Sequence, residues 1–229
     1  MQYELIRSKR KTISISFDKN ANVVVKAPGW VSKKQIDAFV EEKEEWITAT
    51  RIRLLNAKER EQKERLALNS GDVLTLLGDE LTLTVIREER KTGRVKQIQN
   101  RLLLWIPYDA DYEFRRLLVE KWYRKMASEL LPQKAERFAK TLGVHYEGIS
   151  VKDQKSRWGS CSSNRNLNFN FRILMAPEEV CDYVIWHELC HLVHMNHSEE
   201  FWNLVGSVCP RYKSCKKWLK ENSARLYQI

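Results

Sequence analysis

The chain has 229 residues, 43% of them apolar, which is enough to bury a proper core, so one or two ordinary globular domains are expected. No run approaches the roughly 18–20 apolar residues of a membrane span, and "MQYELIRSKRKTIS" lacks the apolar core of a secretory signal, so a soluble, cytoplasmic protein without a membrane partner is expected. The formal charge of +10, from 40 Lys and Arg against 30 Asp and Glu, favours acidic or polyanionic partners, although lysine-rich solvated helix faces give the same sum.

In chain order, "YELIR", "TISISF" and "NVVVKA" read as strands of a small antiparallel sheet. Ser32-Lys33-Lys34-Gln35 has the form of a capping box, and Ile36, Phe39, Val40, Trp46 and Ile47 then recur at helical spacing, so one long helix is expected to about residue 66. Its charge-rich second half, "AKEREQKERLAL", reads as a solvated face or a coiled-coil arm. "VLTLLG", "ELTLTVIRE" and "RLLLWIP" read as a second group of strands. Residues 111–142 are helical, with Phe114, Leu117, Leu118, Trp122 and Met126 on one stripe. Pro132 should interrupt or kink this helix, and Gly143 should stop it. "GISVKD", "SRWGSCS" and "NLNFNF" read as further strands before a helix that starts at Pro177 with Glu178 and Glu179 in its first turn. The fold class is therefore α+β, with a β-rich region carrying one long helix over 1–108 and a helical and catalytic region over 109–229, integrated rather than modular.

Chemistry concentrates in "YVIWHELCHLVHMNHSEEFW", residues 183–202, which holds four of the five histidines. On a helix His187 and His191 stand one turn apart on one face, so both imidazoles can reach one metal ion. A third ligand comes from His194, three positions on along the same face, or from His197 beyond a turn stopped at Asn196 and restarted by the cap Ser198, with His197 preferred and His194 left as an outer hydrogen bonder. Three nitrogen ligands leave a fourth position for water, and Glu188 beside the first ligand is placed to take its proton. One Zn²⁺ per chain and hydrolysis of an amide bond in a peptide or protein substrate follow. The five cysteines form no C-x-x-C pair and read as reduced thiols outside any metal site.

"SRWGSCSSNRNLNFNFRILMAP", the histidine segment and "CPRYKSCKKWL" together resemble the YgjP-like metallopeptidase family and, more distantly, SprT-like proteases. The resemblance implies a zincin-type metallopeptidase with a C-terminal catalytic segment, His187, His191 and His197 as zinc ligands and Glu188 as general base. The H-E-x-x-H-x-x-x-x-x-H spacing is shared with metzincins, but His194 stands where they have glycine and no methionine follows His197 to supply their Met-turn.

Around this centre, Arg157 and Trp158 mark either an edge strand that pairs with extended substrate or a hairpin whose tryptophan fills the core. Asn168 and Asn170 share one strand face, solvated or supporting the ligands. Arg157, His194, Arg211 and Tyr212 are the candidate oxyanion donors. Trp186, Phe201, Trp202 and Trp218 read as core. The alternative function is a nucleic-acid-associated protein with a structural or vestigial zinc site, its basic stretches "RSKRK", "REERKTGR" and "KSCKKWLK" tracking phosphates.

Overall fold

The structure is a computed structural model that describes every residue except 155, and the side chains of all others except 58 and 60–64. Among the described residues it is a mixed fold of six α-helices and three small sheets. The chain divides into two compact units, Met1–Glu64 and Arg65–Ile229. The division thus falls after residue 64, and residues 65–108 pack with the C-terminal part, because their strands share one apolar core with it.

In the first unit, β1 (Glu4–Ser8), β2 (Ser14–Phe17) and β3 (Val23–Pro28) form a sheet of order β1-β3-β2. The expected antiparallel pairing holds for β2 with β3, whereas β1 runs parallel to β3 on its other edge. Ser32 and Gln35 form both bonds of the capping box at the start of α1 (Lys33–Glu42). The expected single long helix is two: α1 ends on Lys43, and α2 (Glu44–Glu64) starts with Glu44 and Glu45 in its own first turn. Val23, Val25, Ile36, Val40 and Ile47 close a core of their own. Half the side chains of the predicted charged arm, at 58 and 60–64, lie outside the described residues, and Leu68 at its end is buried.

In the second unit, β4 (Val73–Leu76), β5 (Asp79–Arg87), β6 (Arg94–Ile98) and β7 (Arg101–Ile106) form a sheet of order β4-β5-β7-β6. The 31-residue α3 (Tyr112–Leu142) starts on the Asp111 cap, ends on left-handed Gly143 at φ 70°, and contains Pro132 without interruption. Buried packing on both sides of Pro132, from Leu131 and from Lys134, Ala135 and Phe138, holds the helix through the missing donor. Of the predicted stripe of α3, Trp122 is buried and Phe114, Leu118 and Met126 pack against the core, while Leu117 is exposed; the most buried line adds Val119, Tyr123, Ala127, Leu131 and Ala135.

The last sheet, β8 (Gly148–Lys152), β9 (Gly159–Cys161) and β10 (Asn166–Asn170), has order β8-β10-β9, which leaves one edge of β9 unpaired in the sheet. A 3₁₀ turn at Phe171–Met175 leads into α4 (Glu178–Cys190), followed by α5 (Glu199–Val208) and α6 (Tyr212–Asn222). α4 is buried on nearly every side, so it is seated by core packing. Trp186 stacks on Phe138 of α3 with centroids 4.1 Å apart, and buried Lys134 pairs with Glu178 and with Asp182, the latter at 2.8 Å. At the other end the β4–β5 turn closes on it: a Cβ on left-handed Gly78 would lie 3.6 Å from the Pro177 Cα.

Candidate metal centre

The C-terminal end of α4 is where packing stops and imidazoles begin. His187 is half-buried in its last turn and His191 caps it. α4 therefore ends earlier than expected, and residues 191–193 form a turn. Beyond the turn His194 is off the helix face that carries His187 and His191. Asn196 is not in the left-handed region that was expected to stop the helix there. Ser198 does cap α5, its hydroxyl accepting from the Phe201 backbone N–H, and the chain between cap and turn brings exposed His197 back over α4.

The three rings form a near-equilateral triangle. Centroid separations are 4.9 Å for His187–His191, 5.1 Å for His187–His197 and 4.7 Å for His191–His197. One nitrogen from each lies within 4.8 Å of the others, a group able to hold a metal ion, and the Nε2 atoms of His187 and His197 are 3.1 Å apart. Tetrahedral ligands at metal distance stand about 3.3 Å from one another, so this pair is already near bound spacing. His191 Nδ1 lies 3.0 Å from the backbone carbonyl of His194. A carbonyl only accepts, so Nδ1 carries the hydrogen and Nε2 offers its lone pair to the triangle.

Electrostatics favours the ligand form of the rings. Burial, then the neighbouring imidazoles and Lys216, pushes His187 down to about 3. Burial and His197 also lower His191, against the hydrogen bond to His194. Both rings are neutral at neutral pH, as metal coordination requires. Phe201 forms an apolar floor, its ring 5.0, 4.5 and 4.9 Å from His187, His191 and His197, and Trp202 stacks on His197 at 5.5 Å.

Glu188 turns away from solvent, only 5% exposed, and its carboxylate lies against β9. A Cβ built on Gly159 would stand 2.6 Å from Glu188 Oε1, so glycine is the residue that admits the contact. Burial raises the Glu188 carboxyl to about 8, with Arg157 opposing. Such a group can move a proton near neutrality. Imidazole nitrogens around a triangle of one ion's size suit a divalent metal that activates water.

The sequence model for one family, YgjP-like, metallopeptidase domain, matches residues 11–222. The chain belongs to the YgjP-like metallopeptidase family. YgjP-like membership makes it a metal-dependent peptidase with a peptide substrate. Among solved structures, the metallopeptidase zymogen abylysin of Pyrococcus abyssi is similar at 23% identity and a TM-score of 0.37, covering 40% of this chain and 94% of that one. No curated protein matches the chain.

Other residues of this YgjP-like protein sit differently from expectation. His194 supplies its backbone carbonyl rather than a ring nitrogen to the cluster. Trp158 leans on Tyr227 at 5.4 Å and fills the core side of the hairpin. Asn170 is fully buried, not solvated: its amide donates to the Gln154 carbonyl at 2.6 Å and to that of Arg157, tying down the approach to β9, while Asn168 donates to Ser160 Oγ. Tyr212 stacks on Trp202 at 5.5 Å and so reaches the histidines through that ring, and Arg211 is paired with Glu179 at 2.8 Å. Trp186 is buried, and Trp202 and Trp218 pack against the core. Gly159, Phe201 as a floor and Lys216 were not singled out as site residues. The G-S after Arg157-Trp158, a glycine at the start of a short strand, was the available signal for the first. No described helix is long and apolar enough to cross a membrane, and nothing in the family match supports nucleic acid as a partner.

Proposed function

We propose that the protein hydrolyses peptide bonds with one zinc ion held by His187, His191 and His197 and with Glu188 as general acid and base. The observation that carries this reading is the convergence of three ring nitrogens within 4.8 Å, with buried Glu188 next in the chain to the first of them. When bound, zinc supplies Lewis acidity that brings the acidity of a water toward neutrality. Soft thiolates are absent from the group and neutral nitrogens suit zinc, which supports that metal over magnesium or calcium.

The chain's own residues do the rest. Glu188 accepts a proton from the attacking water at a carboxylate oxygen and returns it to the nitrogen of the leaving amine. A nearby dication favours its ionised form, offsetting the burial that protonates it in the metal-free chain. Phe201 and Trp202 exclude water from the rear of the rings. The unpaired edge of β9 offers an extended peptide backbone partners, and Gly159 lets that peptide lie next to Glu188. The free thiols support a reducing, cytoplasmic setting.

The test is metal content and peptide cleavage for the native chain and Glu188→Gln. The expected result is one zinc per chain in both and a loss of about 10²–10⁴-fold in rate for the variant. A Glu188→Gln chain as active as the native one, or a native chain without zinc, overturns the reading.

A further inference from the structure

Two exposed cations act on groups of the centre, Lys216 on His187 and Arg157 on Glu188. Lys216 lies on α6 with Nζ 4.5 Å from the centroid of Trp202, and that ring is 5.5 Å from His197 and 5.8 Å from His187. No carboxylate pairs with Lys216 among the described residues, and its charge reaches His187. Its neighbours differ: Arg211 is taken by Glu179 at 2.8 Å, and Lys217 lies 3.8 Å from Glu221. Arg157 lies two residues before Gly159, where β9 begins, and β9 abuts Glu188. Its guanidinium also has no ion pair among the described residues, and Asn170 holds its backbone carbonyl in place. Most other arginines around the core are occupied, Arg116 and Arg124 by Glu120 and Arg172 by Asp153.

An unpaired ammonium seated on an indole keeps its charge at a fixed height and loses little freedom when an anion arrives. We propose that the centre selects peptides carrying a carboxylate next to the scissile bond, received by Lys216 on its Trp202 ledge, with Arg157 holding a second negative charge along β9. This rests on the hydrolytic reading of His187, His191, His197 and Glu188, and it names the substrate class. Acidic side chains and a free C-terminus offer the same carboxylate. The ledge sets the preference, because a glutamine has the shape of glutamate without the negative charge that Lys216 and Arg157 attract.

The experiment compares peptides that differ only by Glu against Gln beside the scissile bond, each with a free or an amidated C-terminus. Cleavage is followed with the zinc-loaded native chain, Lys216→Met and Arg157→Gln; binding is followed by fluorescence anisotropy on zinc-loaded Glu188→Gln with and without Lys216→Met. Methionine keeps the stem over Trp202 and removes only the charge. The native kcat/KM is expected to favour Glu over Gln by about threefold to tenfold per charge met, the preference to collapse in Lys216→Met, and binding to show the same ratio. A Glu preference seen in both free and amidated peptides assigns the carboxylate to the side chain, and a preference for free over amidated peptides with Glu and Gln used alike assigns it to the C-terminus; either supports the proposal. Equal use of all four peptides, Glu or Gln and free or amidated, by a native chain that cleaves them overturns the proposal and leaves the hydrolytic reading intact. A native chain that cleaves nothing, with charge-dependent binding retained, overturns the hydrolytic reading alone. A single-stranded oligonucleotide that displaces the Glu peptide at equal concentration also overturns the proposal, in favour of a general polyanion surface.

Discussion

The Cα of Gly159 faces the carboxylate of Glu188 so closely that a methyl group in its place would stand 2.6 Å from Oε1 and 2.9 Å from Cδ. This contact joins an edge strand to the helix that carries two of the clustered imidazoles. The missing side chain at Gly159 leaves room for the buried carboxyl.

Gly159→Ala should therefore push the Glu188 side chain from its place while leaving the three histidines where they are. Cleavage is expected to fall by about 10- to 100-fold through loss of alignment, with zinc content unchanged. Parallel measurement of kcat and bound metal checks this, and loss of metal in the variant would contradict it.

His191 and His194 are linked through a backbone carbonyl rather than through two rings. His194→Ala should keep zinc affinity within about threefold of the native chain, whereas alanine at His187, His191 or His197 should lower it by about 10²-fold or more. Competition with a chromogenic chelator separates the two outcomes.

Phe201 is fully buried and floors all three rings. Phe201→Ala removes a core aromatic from beneath the cluster and is expected to cost about 3–5 kcal/mol of stability. Thermal melts of the metal-free chain measure that loss, and zinc titration should show weaker binding as the rings lose their support.

Glu120 bonds both Arg116 and Arg124 on α3. Burial alone would raise its carboxyl, but the two arginines outweigh burial and hold it below the usual carboxylate range; Arg116 does the same to Glu113. A depressed carboxyl contributes stability that is present above its unfolded pKa and is lost as pH falls through the folded one. Glu120→Gln should thus lower the melting temperature by about 2–4 °C at pH 7, for a loss of about 1 kcal/mol. The gap between native and variant should close as the pH falls below the ordinary carboxylate value near 4.5. A gap that stays constant with pH would contradict this account.

Much of the local structure was legible because it depends on groups a few residues apart. The Ser32–Gln35 box, the Ser198 cap and left-handed Gly143 all form as the residue types demand. Longer-range features were not. The α3 stripe read from Phe114 to Met126 packs inward except for exposed Leu117, while Val119 and Tyr123 are buried more deeply, since the partner elements, not the helix, decide which of several apolar residues turns inward. Asn170 reads as a solvated strand residue until the carbonyls of Gln154 and Arg157 are brought against it.

By itself the sequence put His187 and His191 one turn apart on one side, with Glu188 next to the first, because 3.6 residues per turn brings positions four apart to the same face. Tertiary structure decided the rest of the centre. It ends α4 at Cys190, so that the ring of His197 and not that of His194 meets the pair, and it sets β9 against Glu188 across 29 positions of chain. Turn spacing acts between neighbours and is written in the residue order; contact between distant segments exists only once burial of a common core has chosen which faces meet.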